Sequence, residues 1–202
     1  MLKNIFLELV SRYTNTPGDS LWKEIEVAYS GKKRYYHNLT HLENMYTGLL
    51  FCKEEIEDWD TVLFALFYHD IVYKATSKDN EEKSAELAVQ RLIDIGFPKG
   101  KVELCYAHIL ATKSHVISNN NDTNLFTDAD LSILGYSWET YETYYKQIRK
   151  EYSYYPDLLY NPGRKKVLQH FLSMEHIYKT AFFREKYEAA AHENLKAEMK
   201  IL

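Results

Sequence analysis

The chain has 202 residues, 46% of them hydrophobic and 27% charged, with a formal net charge of -4. This composition is that of a globular protein long enough to bury a substantial core, and it excludes a disordered chain and a general affinity for nucleic-acid backbone. No stretch approaches the roughly 20 apolar residues that cross a bilayer, and no basic region followed by a long apolar run opens the sequence, so a cytoplasmic protein with no membrane partner is expected.

Seven glycines, four prolines and few alternating apolar runs predict an all-α protein, folded as one helical domain over residues 1–202. The first helix is predicted over Leu2 to Tyr13, ending before Thr16-Pro17-Gly18. Asp19 or Ser20 caps a second, which runs to Tyr29 and stops at Gly31. A third carries Leu42, Met45, Leu49, Cys52 and Ile56 on one stripe, with His37 and His41 at its start. Whether His37 lies inside that helix or just before it, the two imidazoles converge on one cavity. The fourth helix, Asp58 to Tyr68, directs Val62, Leu66, His69 and Tyr73 inward.

Lys74 to Lys78 reads as a loop, and Asp79-Asn80-Glu81-Glu82 has the spacing of a capping box before a helix containing Ala85, Ala88, Leu92 and Ile95. Gly96 ends it, and Pro98 opens a helix whose Cys105, His108, Thr112 and His115 share one stripe. Ser118 to Asn124 reads as a surface loop, and Leu125 to Gly135 frames two aspartates, Asp128 and Asp130. Ser137 caps a tyrosine-rich helix to about Tyr152, Asn161-Pro162-Gly163 breaks the chain, and Arg164 to Leu202 fits two amphipathic helices. Cys52 and Cys105 sit within apolar patterns and are expected as buried free thiols.

His69-Asp70 closes the apolar run Val62 to Tyr68, where two polar side chains demand compensation. A divalent metal held by His41, His69, Asp70 and an aspartate from the 128–130 segment supplies it, with Asp130 or Asp128 as that ligand. Two imidazoles and two carboxylates suit zinc, manganese, iron, cobalt or nickel better than calcium, as one ion or two. Such a centre activates water for hydrolysis.

Those residues, in that order, resemble the signature of the HD-domain metal-dependent phosphohydrolases: a histidine, a His-Asp doublet, then a distant aspartate. Tyr36-His37-Asn38 followed by His41 is similar to a stretch of the cyclic nucleotide phosphodiesterases in the same superfamily, as is Ala129-Asp130-Leu131-Ser132. The resemblance is closest to small bacterial proteins described as predicted HD-superfamily phosphohydrolases. It runs from about Tyr35 to about Leu195 and includes Asp79 to Ala85, Ala111-Thr112 with His115, Asp128 to Leu131 and Glu193-Asn194-Leu195. It implies a helical-bundle HD fold with additional C-terminal helices, and metal ligands at His41, His69, Asp70 and Asp130. It further implies that His37 protonates the leaving oxygen and that Asn38 steadies the helix start. The elements that sandwich a purine in the phosphodiesterases are not recognisable here.

The expected activity is hydrolysis of a phosphate mono- or diester on a small phosphorylated, nucleotide-like substrate, with Asp70 and His37 as the catalytic pair. Around this set, His115 is a candidate for a second metal or for phosphate contact, and His108 for the core. One of Glu81 and Glu82 caps its helix while the other faces the activated water. Arg34, Lys74 and Arg164 are candidates for phosphate, against the simpler reading of solvated cations. The tyrosines from Tyr141 to Tyr155 read as helix packing. Two other classes fit the same residues: a di-iron oxygenase, with His108 or His115 as extra ligands, and a binding domain without catalysis.

Overall fold

The computed structural model describes residues 1–202 and is all-α, with ten helices and no β-strand. The helices are α1 (Leu2–Ser11), α2 (Asp19–Tyr29), α3 (Leu39–Phe51), α4 (Trp59–Tyr68), α5 (Asn80–Asp94), α6 (Lys99–Ala111), α7 (Asn121–Leu131), α8 (Trp138–Glu151), α9 (Asp157–Ser173) and α10 (Ala181–Ile201).

The axis of the bundle is α4. All eight residues from Thr61 to Tyr68 are buried, so this helix has no outer face; a continuous apolar run is surrounded rather than laid against one neighbour. It is enclosed by α3, α5, α6 and α7, while Phe6 of α1 meets Phe67 edge-on at 5.0 Å and Trp22 of α2 closes the same cluster. Asp58 starts the helix by accepting from the Thr61 backbone and hydroxyl, which satisfies amide hydrogens that the helix itself leaves open. The buried end of α4 carries His69 and Asp70, and the rest of the molecule is arranged around that end.

Three expectations for local structure are corrected. Ser118 to Asn124 is not a surface loop: Asn120 caps α7 by accepting from Thr123, and the Asp122 carboxylate accepts from the amides of Glu57 and Asp58. Its polar residues are consumed by helix ends, which composition does not distinguish from solvation. Asn161-Pro162-Gly163 lies within α9. Pro162 removes the bond to the Leu158 carbonyl, but Leu158 is 85% exposed, so water replaces it while burial of Tyr160, Arg164 and Leu168 holds the helix together. The capping box at Asp79 does not form, because Ser77 and Lys83 take its carboxylate. Asn80 instead clips the preceding loop through both the amide and the carbonyl of Lys74, and Ser84 does the same at Val72.

The last helix braces the middle of the chain. After α7, residues Ser132–Gly135 make a 3-10 turn that packs against α10. A Cβ at Gly135 would stand 2.5 Å from the Tyr187 Cβ and carbonyl oxygen, so only glycine permits this approach. Asn194 locks it by donating to the carbonyls of Leu134 and Tyr136. Cys52 and Cys105 are buried free thiols, as expected, and no helix is long and apolar enough to cross a membrane.

Candidate metal centre

Three segments deliver the centre. Asn38 caps α3, accepting from the amides of Thr40 and His41, so His37 lies just before the helix and His41 in its first turn. His69 follows the last residue of α4, and its Nδ1 donates to the Leu66 carbonyl at 2.9 Å. A carbonyl only accepts, so Nδ1 carries a proton and Nε2 is the nitrogen that faces the centre. Asp130, near the end of α7, completes the group. His41 Nε2 is 3.2 Å from His69 Nε2 and 3.2 Å from Asp130 Oδ1, and His69 Nε2 is 3.9 Å from the same oxygen.

His41, His69 and Asp130 can therefore hold a metal ion: their donor atoms all lie within 4.8 Å of one another. Asp70 stands beside this trio, with Oδ2 3.2 Å from His69 Nε2 and 3.9 Å from His41 Nε2. Two imidazole nitrogens facing each other at this distance, flanked by two carboxylates, are a donor set that fits a divalent ion.

The electrostatics run the same way. Burial works against a charged His69, yet the carboxylates of Asp70 and Asp130 outweigh it and push the imidazole up to about 9. Burial also opposes ionisation of Asp70 and Asp130, but His69 and His37 hold the first well below the usual carboxylate range, and His115 and His41 the second. At His41, by contrast, burial prevails and favours the neutral ring. The pocket is an anionic pair that demands positive charge at its centre.

Orientation is enforced from outside. Asp130 Oδ2 accepts from His115 Nε2 at 3.0 Å, which turns Oδ1 toward the two histidines. To reach it, the chain leaves α6 and places His115 at φ +52°, a left-handed conformation that costs a residue with a Cβ about 1–2 kcal/mol. Arg34 clamps the His69-Asp70 turn, donating to the carbonyls of His37, Asp70 and Ile71, with its guanidinium over the rings of Tyr29 and Tyr73.

His37 belongs to a second constellation. Its Nδ1 is 2.6 Å from Glu151 Oε2, its backbone amide and that of Tyr36 donate to Oε1, and the Tyr73 hydroxyl donates to Oε2. The ring stacks on Tyr73 at 4.2 Å, and Nε2 is 4.0 Å from Asp70 Oδ2. Burial opposes protonation of His37, but Asp70 and Glu151 outweigh it and raise its proton affinity. The sequence reading missed Glu151. One signal was there: a carboxylate on the last residue of a helix opposes the helix dipole and needs a partner elsewhere.

Several candidates have other duties. Arg34 is spent on backbone carbonyls and is not free for phosphate. Lys74 is exposed and off the cleft lining. Glu82 pairs with Lys113, whereas Glu81 lines the cleft with His115 and Asp130. Asp128 is fully buried two residues from Asp130 but faces away, accepting from the amides of Lys179 and Thr180, the Thr180 hydroxyl and the Lys179 ammonium. His108 lies in the core against Thr123. Arg164 is paired with Glu198 beside Tyr144.

His37, Asp70, His115 and Asp130 line a cleft of about 610 Å³ together with residues of α8 and α9. Fold and cluster together define an all-α protein with a buried histidine–carboxylate group that can hold a metal ion, beside a cleft. Comparison with family models, with curated proteins and with solved structures returns no match to this chain.

Proposed function

We propose that this protein is a metal-dependent phosphohydrolase of the HD-domain type, acting on a small phosphorylated substrate. The observation that carries the reading is the convergence of His41, His69 and Asp130, with Asp70 beside them, next to a cleft. Four residues from three separate segments have no reason to meet there for stability, since clustered carboxylates and imidazoles destabilise a core unless a cation joins them.

A divalent ion bound there supplies Lewis acidity toward a phosphoryl oxygen and lowers the pKa of water. The chain's residues do the rest. His41, His69, Asp70 and Asp130 hold the ion, and His115 fixes the direction in which Asp130 offers its oxygen. Water adds to phosphorus as the ester P–O bond breaks; His37 gives the proton on Nε2 to the departing oxygen, and the proton that the water gives up restores His37, so the residues end as they began. Glu151 holds the Nδ1 proton, keeping Nε2 directed at the cleft. His108 is turned to Thr123 in the core, and the His115 Nε2 is engaged by Asp130, so the cluster as it stands is read as the seat of one ion. Two buried unpaired thiols accord with a reducing, cytoplasmic setting.

The test is elemental analysis with hydrolysis of bis(p-nitrophenyl) phosphate in the presence of zinc, manganese, iron, cobalt or nickel. The wild type is expected to bind metal near stoichiometry and turn the ester over, and Asp70→Ala to lose both. An Asp70→Ala protein with stoichiometric metal refutes the ligand assignment. A metal-loaded wild type that cleaves no phosphoester refutes the activity and leaves a binding domain.

A further inference from the structure

We infer that the ligand of this cleft is an ester of a single phosphate carrying a flat, apolar group, and that nucleoside polyphosphates are excluded. The inference rests on the metal-centre reading above and adds to it the class of molecule that fits.

The first observation is the aromatic share of the lining. Beside His37, Asp70, His115 and Asp130, the cleft is bounded by a wall of Tyr144, Tyr152, Tyr155, Tyr160, Leu159 and Phe171, contributed by α8, the turn after it and α9, and Phe171 reaches to within 6.3 Å of the His115 ring. Tyr152 lies 6.3 Å from Tyr155 and 5.9 Å from Tyr160, so these three rings adjoin one another. Packing alone does not explain it, because the wall stays open to a cleft of about 610 Å³, a size that takes a ligand of ordinary small-molecule dimensions. Aromatic surface of this kind recognises a planar apolar group by burial and ring contact.

The second observation is charge. The lining cations are Lys78, Lys113 and Arg164. Lys113 is paired with Glu82, and Arg164 is paired with Glu198 through two nitrogens. Only Lys78 has no carboxylate partner among the three. The lining acids are Asp70, Asp130 and Glu81. A divalent ion balances Asp70 and Asp130, and Lys78 balances Glu81, so the loaded cleft is near neutral. One phosphate is accommodated by the ion, whereas a triphosphate brings about four negative charges, with Lys78 the one lining lysine or arginine not already paired to meet them. Enzymes that bind polyphosphates surround them with uncommitted lysines, arginines and amide hydrogens; this cleft has tied down two of its three.

The experiment is isothermal titration of the manganese-loaded protein with 1-naphthyl phosphate, methyl phosphate and ATP, repeated on Tyr155→Ser and Leu159→Asp. Leu159 is 62% exposed and Tyr155 half-buried, so neither change is expected to unfold the protein. The two monoesters share their phosphate contact with the ion and differ in the organic group. Naphthyl phosphate is expected to bind at least about tenfold more tightly than methyl phosphate, and both variants to erase most of that advantage while leaving methyl phosphate unchanged. ATP is expected to bind more weakly than naphthyl phosphate. Equal binding of the two monoesters, an advantage that both variants retain, or ATP as the tightest ligand overturns the inference. Binding is read without turnover: a naphthyl preference in a protein that hydrolyses nothing sinks the phosphohydrolase reading and leaves the ligand class standing.

Discussion

Asp128 and Asp130 sit two residues apart on one helix, and removing each is expected to break a different property. Asp128 is fully buried and satisfies four donors: two backbone amides, the Thr180 hydroxyl and the Lys179 ammonium, whose side chain is 5% exposed. Asp128→Ala leaves a buried cation and two amides without acceptors, a loss of about 3–5 kcal/mol when one partner of a buried pair is removed. The lower part of that range is expected, because burial already depresses the Lys179 ammonium and Asp128 only partly restores it, so the lysine can shed its proton. For a chain of this length about 3 kcal/mol corresponds to a fall in Tm of about 6–12 °C. Asp130→Ala removes a carboxylate that His115 and His41 hold ionised but that Asp70 opposes, so the apo protein is expected to lose less stability than Asp128→Ala and to bind no metal. Urea unfolding followed by circular dichroism, paired with elemental analysis, separates the two. Asp128→Asn, which keeps the shape and one carbonyl acceptor, is expected to fall between wild type and Asp128→Ala in stability and to hold metal normally. If Asp128→Asn empties the centre, or Asp130→Ala keeps it filled, the assignment of the two aspartates is reversed.

Glu151→Gln is expected to leave metal content unchanged while lowering kcat by about 10- to 100-fold, since His37 loses the carboxylate that raises its proton affinity; metal loss in this variant would move Glu151 into the ion's surroundings. His108 gives a pH dependence of stability. Burial pushes its imidazole down to about 4, whereas the unfolded chain protonates it near about 6.5. Between those values the unfolded state binds the extra proton, so stability is complete above about pH 6.5 and falls as pH drops toward about 4, by roughly 3 kcal/mol in all. His108→Leu, measured by urea unfolding at pH 7 and pH 4.5, is expected to flatten this slope, and an unchanged slope assigns the acid sensitivity elsewhere. Pro162→Ala restores a hydrogen-bonding amide inside α9 and is expected to raise stability by roughly 1–3 kcal/mol in the same assay; a fall would show that the proline ring itself is a packing element.

The helices were legible wherever polarity followed burial. α2, α4, α5 and α8 start and stop within a residue or two of their predicted ends, because Asp58, Ser137 and Gly96 signal chain ends through chemistry that acts locally. The His69-Asp70 pair was legible for a related reason: two costly groups closing an apolar run need an explanation that the run cannot give. What was hidden depends on distance. Glu151 reaches His37 across 114 positions, and nothing local marks it beyond its place against the helix dipole. Asp128 and Asp130 differ only in which side of α7 each occupies, and that is fixed by Lys179 and Thr180, far along the chain. Arg34 looked like a free cation because backbone carbonyls, its actual partners, leave no trace in side-chain pattern. In 118–124 the same polar residues that mark a solvated loop were spent on capping α7 and α4.

The glycine that lets α10 press on the turn after α7 also ties the centre to the far end of the chain. His41, His69, Asp70 and Asp130 are all synthesised within the first 130 residues, yet Asp128 is anchored by Lys179 and Thr180, and the turn behind α7 is held by Tyr187 and Asn194. α3, α4 and α6 already hold the body of α7, so what the last helix adds is the fixing of its far end, next to Asp130. Loosening that brace is expected to blur the position of the Asp130 carboxylate while leaving the two histidines on their own helices in place.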